Sequence, residues 1–443
     1  MKKEWLLLTG VVTVTTILAL AIVRWMAPQL LGLPLDLEVV QVSKKIPPFY
    51  ENVFRREDAQ PKEFLLKDPY TSVRGIPLFP EIEGWGPNDI LGFRNRSVPD
   101  VADVITIGDS QTYGNNAVMA DNWPSQMGQL LHDRSNVVYN MSTGGWAAIQ
   151  YLDMFTNATL FQPHVVVVAF YTGNDPLESF RDAYSINRWE PFRLDPSISI
   201  NDMPKWTFPP PPSEIWNVKF RDGIKTGFSP RMRLITNEDH PAVHAGYAIM
   251  REVARQISLM AKPRHVQVVF TIIPTKELVY AKKVQQEGLR APKDYVELIA
   301  AEERNIASLS GVLKQLPDAI YVDLVPALQD AALRHVPLYP DDVNGHPIKE
   351  GYQVIAKVLA PVVNAHLPPR PQGLVAIRYV KEGYTLALVR GEDVWYFAST
   401  TVAAANGWKP GKVQVVNPRD VATLRVRGII NDVVPGRFGP FRR

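Results

Sequence analysis

Cysteine is absent from all 443 residues. That excludes disulfides, thiolate metal sites and a cysteine nucleophile. It leaves the compartment open, since many proteins of oxidising compartments also lack cysteine. An excess of one charge is missing too. The 48 Lys and Arg against 45 Asp and Glu leave a formal charge of +3, so no nucleic-acid partner is expected. Internal repeats and metal-ligand spacings are lacking, and no cofactor or metal is expected. His240 and His244 stand near a helix start without a third ligand and read as a solvated helix face. Proline (38) and tryptophan (10) are by contrast frequent, which fits long ordered loops and argues against a helical bundle.

The first distinctive stretch is an apolar run from Trp5 to Val23, preceded by Lys2 and Lys3 and closed by Arg24. As a helix it would span roughly 28 Å, close to the hydrocarbon core of a bilayer. Trp5 and Trp25 stand at its ends, where interfacial aromatics belong, and the lysines favour a cytoplasmic N-terminus. A cleaved signal peptide is the rival reading, but no small-x-small site precedes the first globular segment. The run is expected to be an uncleaved anchor, residues 1–27, that places the rest of the chain on the periplasmic or extracellular side. Residues 28–100 are Pro-rich and irregular and read as a stalk and lead-in.

Strands and helices then alternate. Short apolar runs at 104–107, 137–139, 165–170, 266–273 and 319–322 read as strands, and 165–170 is apolar throughout, as a strand buried on both faces would be. Amphipathic segments at 242–260 and 294–316 separate them. This is the pattern of an α/β domain with a parallel sheet covered on both sides. Residues 176–241 form a long insertion with Trp189, Trp206, Trp216 and four consecutive prolines. It reads either as an ordered cover touching substrate or as a surface loop held by tryptophan packing. After Pro368-Pro369-Arg370-Pro371, alternating runs at 374–380, 385–389, 394–397, 413–416 and 423–426 predict a small β-rich module, residues 371–443.

Four segments that follow strands carry chemistry, and a parallel sheet brings them to one carboxyl edge. Gly108-Asp109-Ser110 offers a hydroxyl nucleophile. Asp341-Asp342-Val343-Asn344-Gly345-His346 offers a base in His346 and a carboxylate in Asp342, with Asp341 as the next choice, to hold the imidazole tautomer. Asn140-Met141-Ser142-Thr143-Gly144-Gly145 and Gly173-Asn174-Asp175 offer oxyanion donors: the N–H groups of Ser110 and Gly145 and the Asn174 amide, with Gly144 a weaker candidate. Pro274-Thr275-Lys276-Glu277 lies on the same edge, where it either positions a substrate or caps a helix at Thr275.

These four blocks resemble the SGNH (GDSL-type) hydrolase superfamily over residues 100–367. The family's serine falls on Ser110, its glycine on Gly145, its asparagine on Asn174 and its histidine on His346. The resemblance implies a flavodoxin-like three-layer α/β/α domain and metal-free ester hydrolysis or acyl transfer. One position departs from the pattern. The family's aspartate stands three residues before the histidine, where this chain has Val343, so the third member of the triad falls to Asp342, to Asp341 or to none.

The expected activity is that of an anchored serine esterase or acyl transferase acting on O-acyl groups of an extracytoplasmic glycan. By analogy, a tethered member with a β module resembles enzymes that add or remove O-acetyl groups on polysaccharide. The alternatives are a lipid or lysophospholipid esterase and a non-catalytic polysaccharide-binding scaffold.

Overall fold

A computed structural model describes residues 65–82, 84–131, 137–205, 209–379, 383–409 and 413–431. The expected anchor, most of the stalk, Trp206 and the basic tail lie outside them. Among the described residues no helix is long and apolar enough to cross a membrane.

The chain opens with a hairpin, β1 (Leu65–Asp68) and β2 (Ser72–Gly75). There follow β3 (Val104–Gly108), α1 (Ser110–Tyr113), α2 (Trp123–Leu130), β4 (Val138–Asn140), α3 (Ala148–Ala158), β5 (Val165–Tyr171) and α4 (Asp175–Ser185). A second hairpin, β6 (Trp216–Lys219) and β7 (Lys225–Phe228), precedes α5 (Pro230–Leu234) and α6 (Pro241–Ala261). The domain closes with β8 (Gln267–Ile273), α7 (Lys276–Gln286), α8 (Lys293–Leu313), β9 (Ala319–Asp323), α9 (Val325–Leu333) and α10 (Lys349–Ala365). All five predicted core strands form, within a residue or two of their expected ends.

The central sheet is five-stranded and parallel, in the order β4-β3-β5-β8-β9. Numbered along the sheet this is 2-1-3-4-5, the doubly wound flavodoxin-like order. Its middle strand, β5, is buried at every residue because both faces are covered. One apolar cluster joins α3, α4, α6 and α8 to one face of the sheet. Another joins α2, α7, α9 and α10 to the other face. The order reverses between β3 and β5, so the crevice at their carboxyl ends is where such a fold binds ligands.

The C-terminal module contains β10 (Gly373–Tyr379), β11 (Gly383–Arg390), β12 (Asp393–Phe397), α11 (Thr400–Ala405), β13 (Gln414–Val416), α12 (Arg419–Ala422) and β14 (Arg425–Ile430). Its strands form one mixed sheet, β13-β10-β11-β12-β14. The two helices add to the predicted β pattern: Ala403 and Val421 belong to two separate apolar clusters of the module. Arg370, 3.0 Å from Asp103, ties the module's leading edge to the entry of β3.

Candidate active site

β3 ends at Gly108, and the chain turns at once into α1. A Cβ on Gly108 would stand 2.1 Å from Thr112 Oγ1, so a side chain there would prevent the turn from closing. Asp109 caps α1, its Oδ1 accepting the Gln111 N–H at 2.9 Å. Ser110 is thereby presented at the carboxyl edge of the sheet.

His346 reaches it from the loop ahead of α10. Its Nε2 lies 2.8 Å from Ser110 Oγ, although the two residues are 236 positions apart. The other ring nitrogen, Nδ1, lies 2.7 Å from Asn344 Oδ1. The His346 backbone N–H donates to the same Oδ1 at 3.1 Å. A backbone N–H can only donate, so Oδ1 is the accepting end of the amide and Nδ1 carries the ring proton. Nε2 is then left unprotonated, the form that accepts the serine hydroxyl.

The expected partner of His346 is therefore corrected. No hydrogen bond joins the Asp342 carboxylate to His346; its Oδ1 accepts the Asn344 N–H at 2.7 Å instead. Asp341 is exposed. The carboxylate of Asp342 is spent on turning the loop, and that turn delivers Asn344 to the ring. Burial, then Arg233, then Lys276 push the His346 pKa down to about 3, which keeps the imidazole neutral.

Gly144 and Gly145 form one tight turn beside the nucleophile. Trp146 N–H donates to Thr143 O at 3.4 Å, closing a turn over the two glycines. Gly145 has φ +78°, the left-handed position that glycine supplies without strain. A Cβ on Gly145 would meet Val73, whereas one on Gly144 would lie 3.6 Å from Ser110 Cβ. The Cβ side of Gly144 is thus turned toward Ser110, and Gly145 makes the turn. Within 4.0 Å of the same point lie Asn115 Nδ2 and Trp85 Cη2, two residues that the sequence reading passed over.

Asn174 stands at the exit of β5, next to β3 in the sheet. Its Nδ2 donates to Glu178 Oε2 at 2.7 Å, and its Oδ1 is buried without a protein partner. Glu178 fixes the amide from behind. Beneath the site lie further buried carboxyls. Asp109 is raised to about 7 by burial and, less strongly, by Glu178. Asp175 is raised well above the usual range by burial and by Asp109. Glu178 rises to about 7 through burial, against the pull of Arg181. Burial first, and repulsion between neighbouring carboxyls second, shift this group toward its protonated forms.

Two segments beyond the sheet complete the site. Residues 76–82 and 84–95 of the lead-in are stapled by Arg94, which is 1% exposed. Its guanidinium donates to Gly86 O at 2.6 Å, Ala117 O at 2.7 Å and Tyr113 O at 3.3 Å, binding the Trp85 loop to the residues after the nucleophile. The insertion acts from the other side. Gly227 N–H of β7 donates to Asp342 O at 3.0 Å, and Thr226 Oγ1 to Pro340 O at 3.4 Å. Trp216 and Phe228 pack on Tyr295 of α8. Part of the insertion is therefore a buttress for the histidine loop. Trp189 packs elsewhere, donating to Tyr70 O at 2.8 Å. His240 caps α6 through Nδ1, and His244 faces Glu238 at 3.4 Å.

No family model and no curated protein matches the chain. Solved structures do. A protein described as lipolytic and of the G-D-S-L family, from Desulfitobacterium hafniense, is 16% identical, with a TM-score of 0.31, covering 58% of this chain and 98% of its own. A GDSL-like lipase from Bacteroides thetaiotaomicron is 12% identical, with a TM-score of 0.30, covering 60% and 88%. A mutant of an acetylxylan esterase from Geobacillus stearothermophilus is 10% identical, with a TM-score of 0.34, covering 60% and 95%. At these values the likeness carries nothing about activity or substrate.

Proposed function

We propose that this chain is a serine esterase of the SGNH type, acting on O-acyl groups of an extracytoplasmic glycan and tethered by its N-terminal apolar run. The contact between Ser110 Oγ and His346 Nε2, with Nδ1 held by Asn344, carries the reading. A pure scaffold needs neither.

In the first half-reaction Ser110 Oγ attacks the acyl carbonyl as His346 Nε2 takes its proton. The oxyanion forms beside Ser110, where the Ser110 and Gly145 amides and the second Asn174 side-chain N–H are the donors, with Gly144 and Asn115 next to them; one such donor is typically worth about 3 kcal/mol of barrier. The C–O bond to the leaving alcohol breaks, and His346 returns the proton to that oxygen. In the second half-reaction water adds to the acyl-enzyme, again through His346, and frees the acid. A glycan hydroxyl in place of water would make the same steps an acyl transfer.

Trp85 supports a short acyl group, because its ring stands against the glycine that faces Ser110. Leu78, Ile90, Leu91 and Val118 are each at least 48% exposed on the lead-in and on the loop after α1, which favours lipid as the second reading. Hydrolysis of p-nitrophenyl esters from acetate to octanoate, followed by acetylated oligosaccharides, tests the assignment. Preference for acetate, with acetate released from the glycan, supports it. Preference for octanoate supports the lipid esterase, and no hydrolysis at all removes the enzyme reading.

A further inference from the structure

Lys276 is a costly residue where it stands. It begins α7 directly after the carboxyl end of β8, with Thr275 as the helix cap, so its charge sits at the positive end of a helix dipole. It is 1% exposed. No carboxylate pairs with it within ion-pair distance among the described residues. Burial lowers its pKa to about 8. A buried cation without a counter-ion opposes folding unless its hydrogen bonds recover the loss.

Those bonds go to one place. Nζ donates to Asp342 O at 2.7 Å and to Asn344 O at 3.1 Å, two carbonyls of the histidine loop. Two further carbonyls of the loop are gripped from other elements. Gln111 Nε2 donates to Gly345 O at 3.3 Å and Asn116 Nδ2 to His346 O at 3.4 Å. Beneath the loop Arg233 of α5 is 8% exposed and donates to Gly173 O at 3.1 Å. The charged groups that face Lys276 are Glu277 on its own helix, Arg233 on α5 and Asp342 on the loop.

Resting on the esterase reading above, we propose that Lys276 is a positioning residue: its two hydrogen bonds clamp the loop that places Asn344 on His346 Nδ1. The clamp sets the distance from Nε2 to Ser110, and the Lys276 charge adds to burial and Arg233 in disfavouring the imidazolium. Of the two readings of the Pro274-Thr275-Lys276-Glu277 segment, the helix cap is the one the structure shows. Thr275 caps the helix, and Lys276 serves the site without touching substrate.

The test is the pH profile of kcat/KM for p-nitrophenyl acetate, measured on the full chain in detergent for wild type, Lys276→Met and Lys276→Gln, with folding checked by thermal melting. Losing the cation stabilises the imidazolium, so the acid limb moves to higher pH in both variants. In Lys276→Met kcat also falls by about 10-fold or more while KM stays within about twofold, because the base is misplaced and the substrate contacts are not. Lys276→Gln keeps a donor and loses less of kcat. A folded Lys276→Met with wild-type kcat overturns the proposal. Should neither variant fold, Lys276→Arg decides: it keeps the charge but reaches the two carbonyls differently, so kcat falls with KM within about twofold, and a wild-type kcat overturns the proposal. A wild type that hydrolyses no ester overturns the esterase reading instead, and this proposal falls with it.

Discussion

Asn344 Oδ1 lies 2.7 Å from His346 Nδ1, so an amide takes the place where a hydrolytic triad ordinarily has a carboxylate. The amide oxygen fixes the tautomer and orientation of the ring. It offers no charge to the imidazolium that forms in the transition state. Asn344→Asp supplies that charge and raises the pKa of His346, so the acid limb of kcat/KM moves to higher pH while kcat above the limb is at least that of the wild type. Asn344→Ala frees the ring and lowers kcat/KM by roughly 100-fold. An acid limb that is unchanged in Asn344→Asp would mean that residue 344 does not act on the base.

Gly144 and Gly145 separate activity from stability. Ala at 144 fits at 3.6 Å from Ser110 Cβ but fills the space beside the nucleophile. Gly144→Ala therefore lowers kcat/KM with its melting temperature unchanged. Gly145→Ala must hold an alanine at φ +78°, which costs about 1 kcal/mol and shows as a lower melting temperature. Assays and melts on the pair check this, and equal losses of activity without a difference in stability would contradict it.

Arg94 joins the lead-in to the nucleophile loop through buried carbonyls of Gly86, Tyr113, Gly114 and Ala117. Arg94→Met removes the donor from the Gly86, Gly114 and Ala117 carbonyls, while Asn122 still serves Tyr113 O, and costs about 3 kcal/mol or more of stability. Chemical denaturation checks the figure. In the same variant Trp85 loses its anchor, so the preference for acetate over longer acyl chains narrows.

Much of this was legible in the sequence, for identifiable reasons. β5 reads directly because a strand covered on both faces needs apolar side chains at every position, and Val165 to Tyr171 supply them. Ser110 and His346 read because each follows a strand or precedes a helix that the pattern makes plain. The third partner did not. Whether Asp342 or Asn344 meets the ring depends on how the loop turns, and the turn is set by Gly227 and Lys276, remote in the chain. Trp85 and Arg94 sit in an irregular segment where periodicity gives no signal, so their part in the site emerges only from the folded chain.

The most direct test is covalent labelling of the full chain with a fluorophosphonate, since the probe reacts only with a serine activated by a base. Wild type should label at Ser110, found by mass spectrometry of the modified peptide. Ser110→Ala should not label, and His346→Ala should label at least ~100-fold more slowly. A folded wild type that remains unlabelled, or one labelled equally well without His346, would contradict an activated serine at this site.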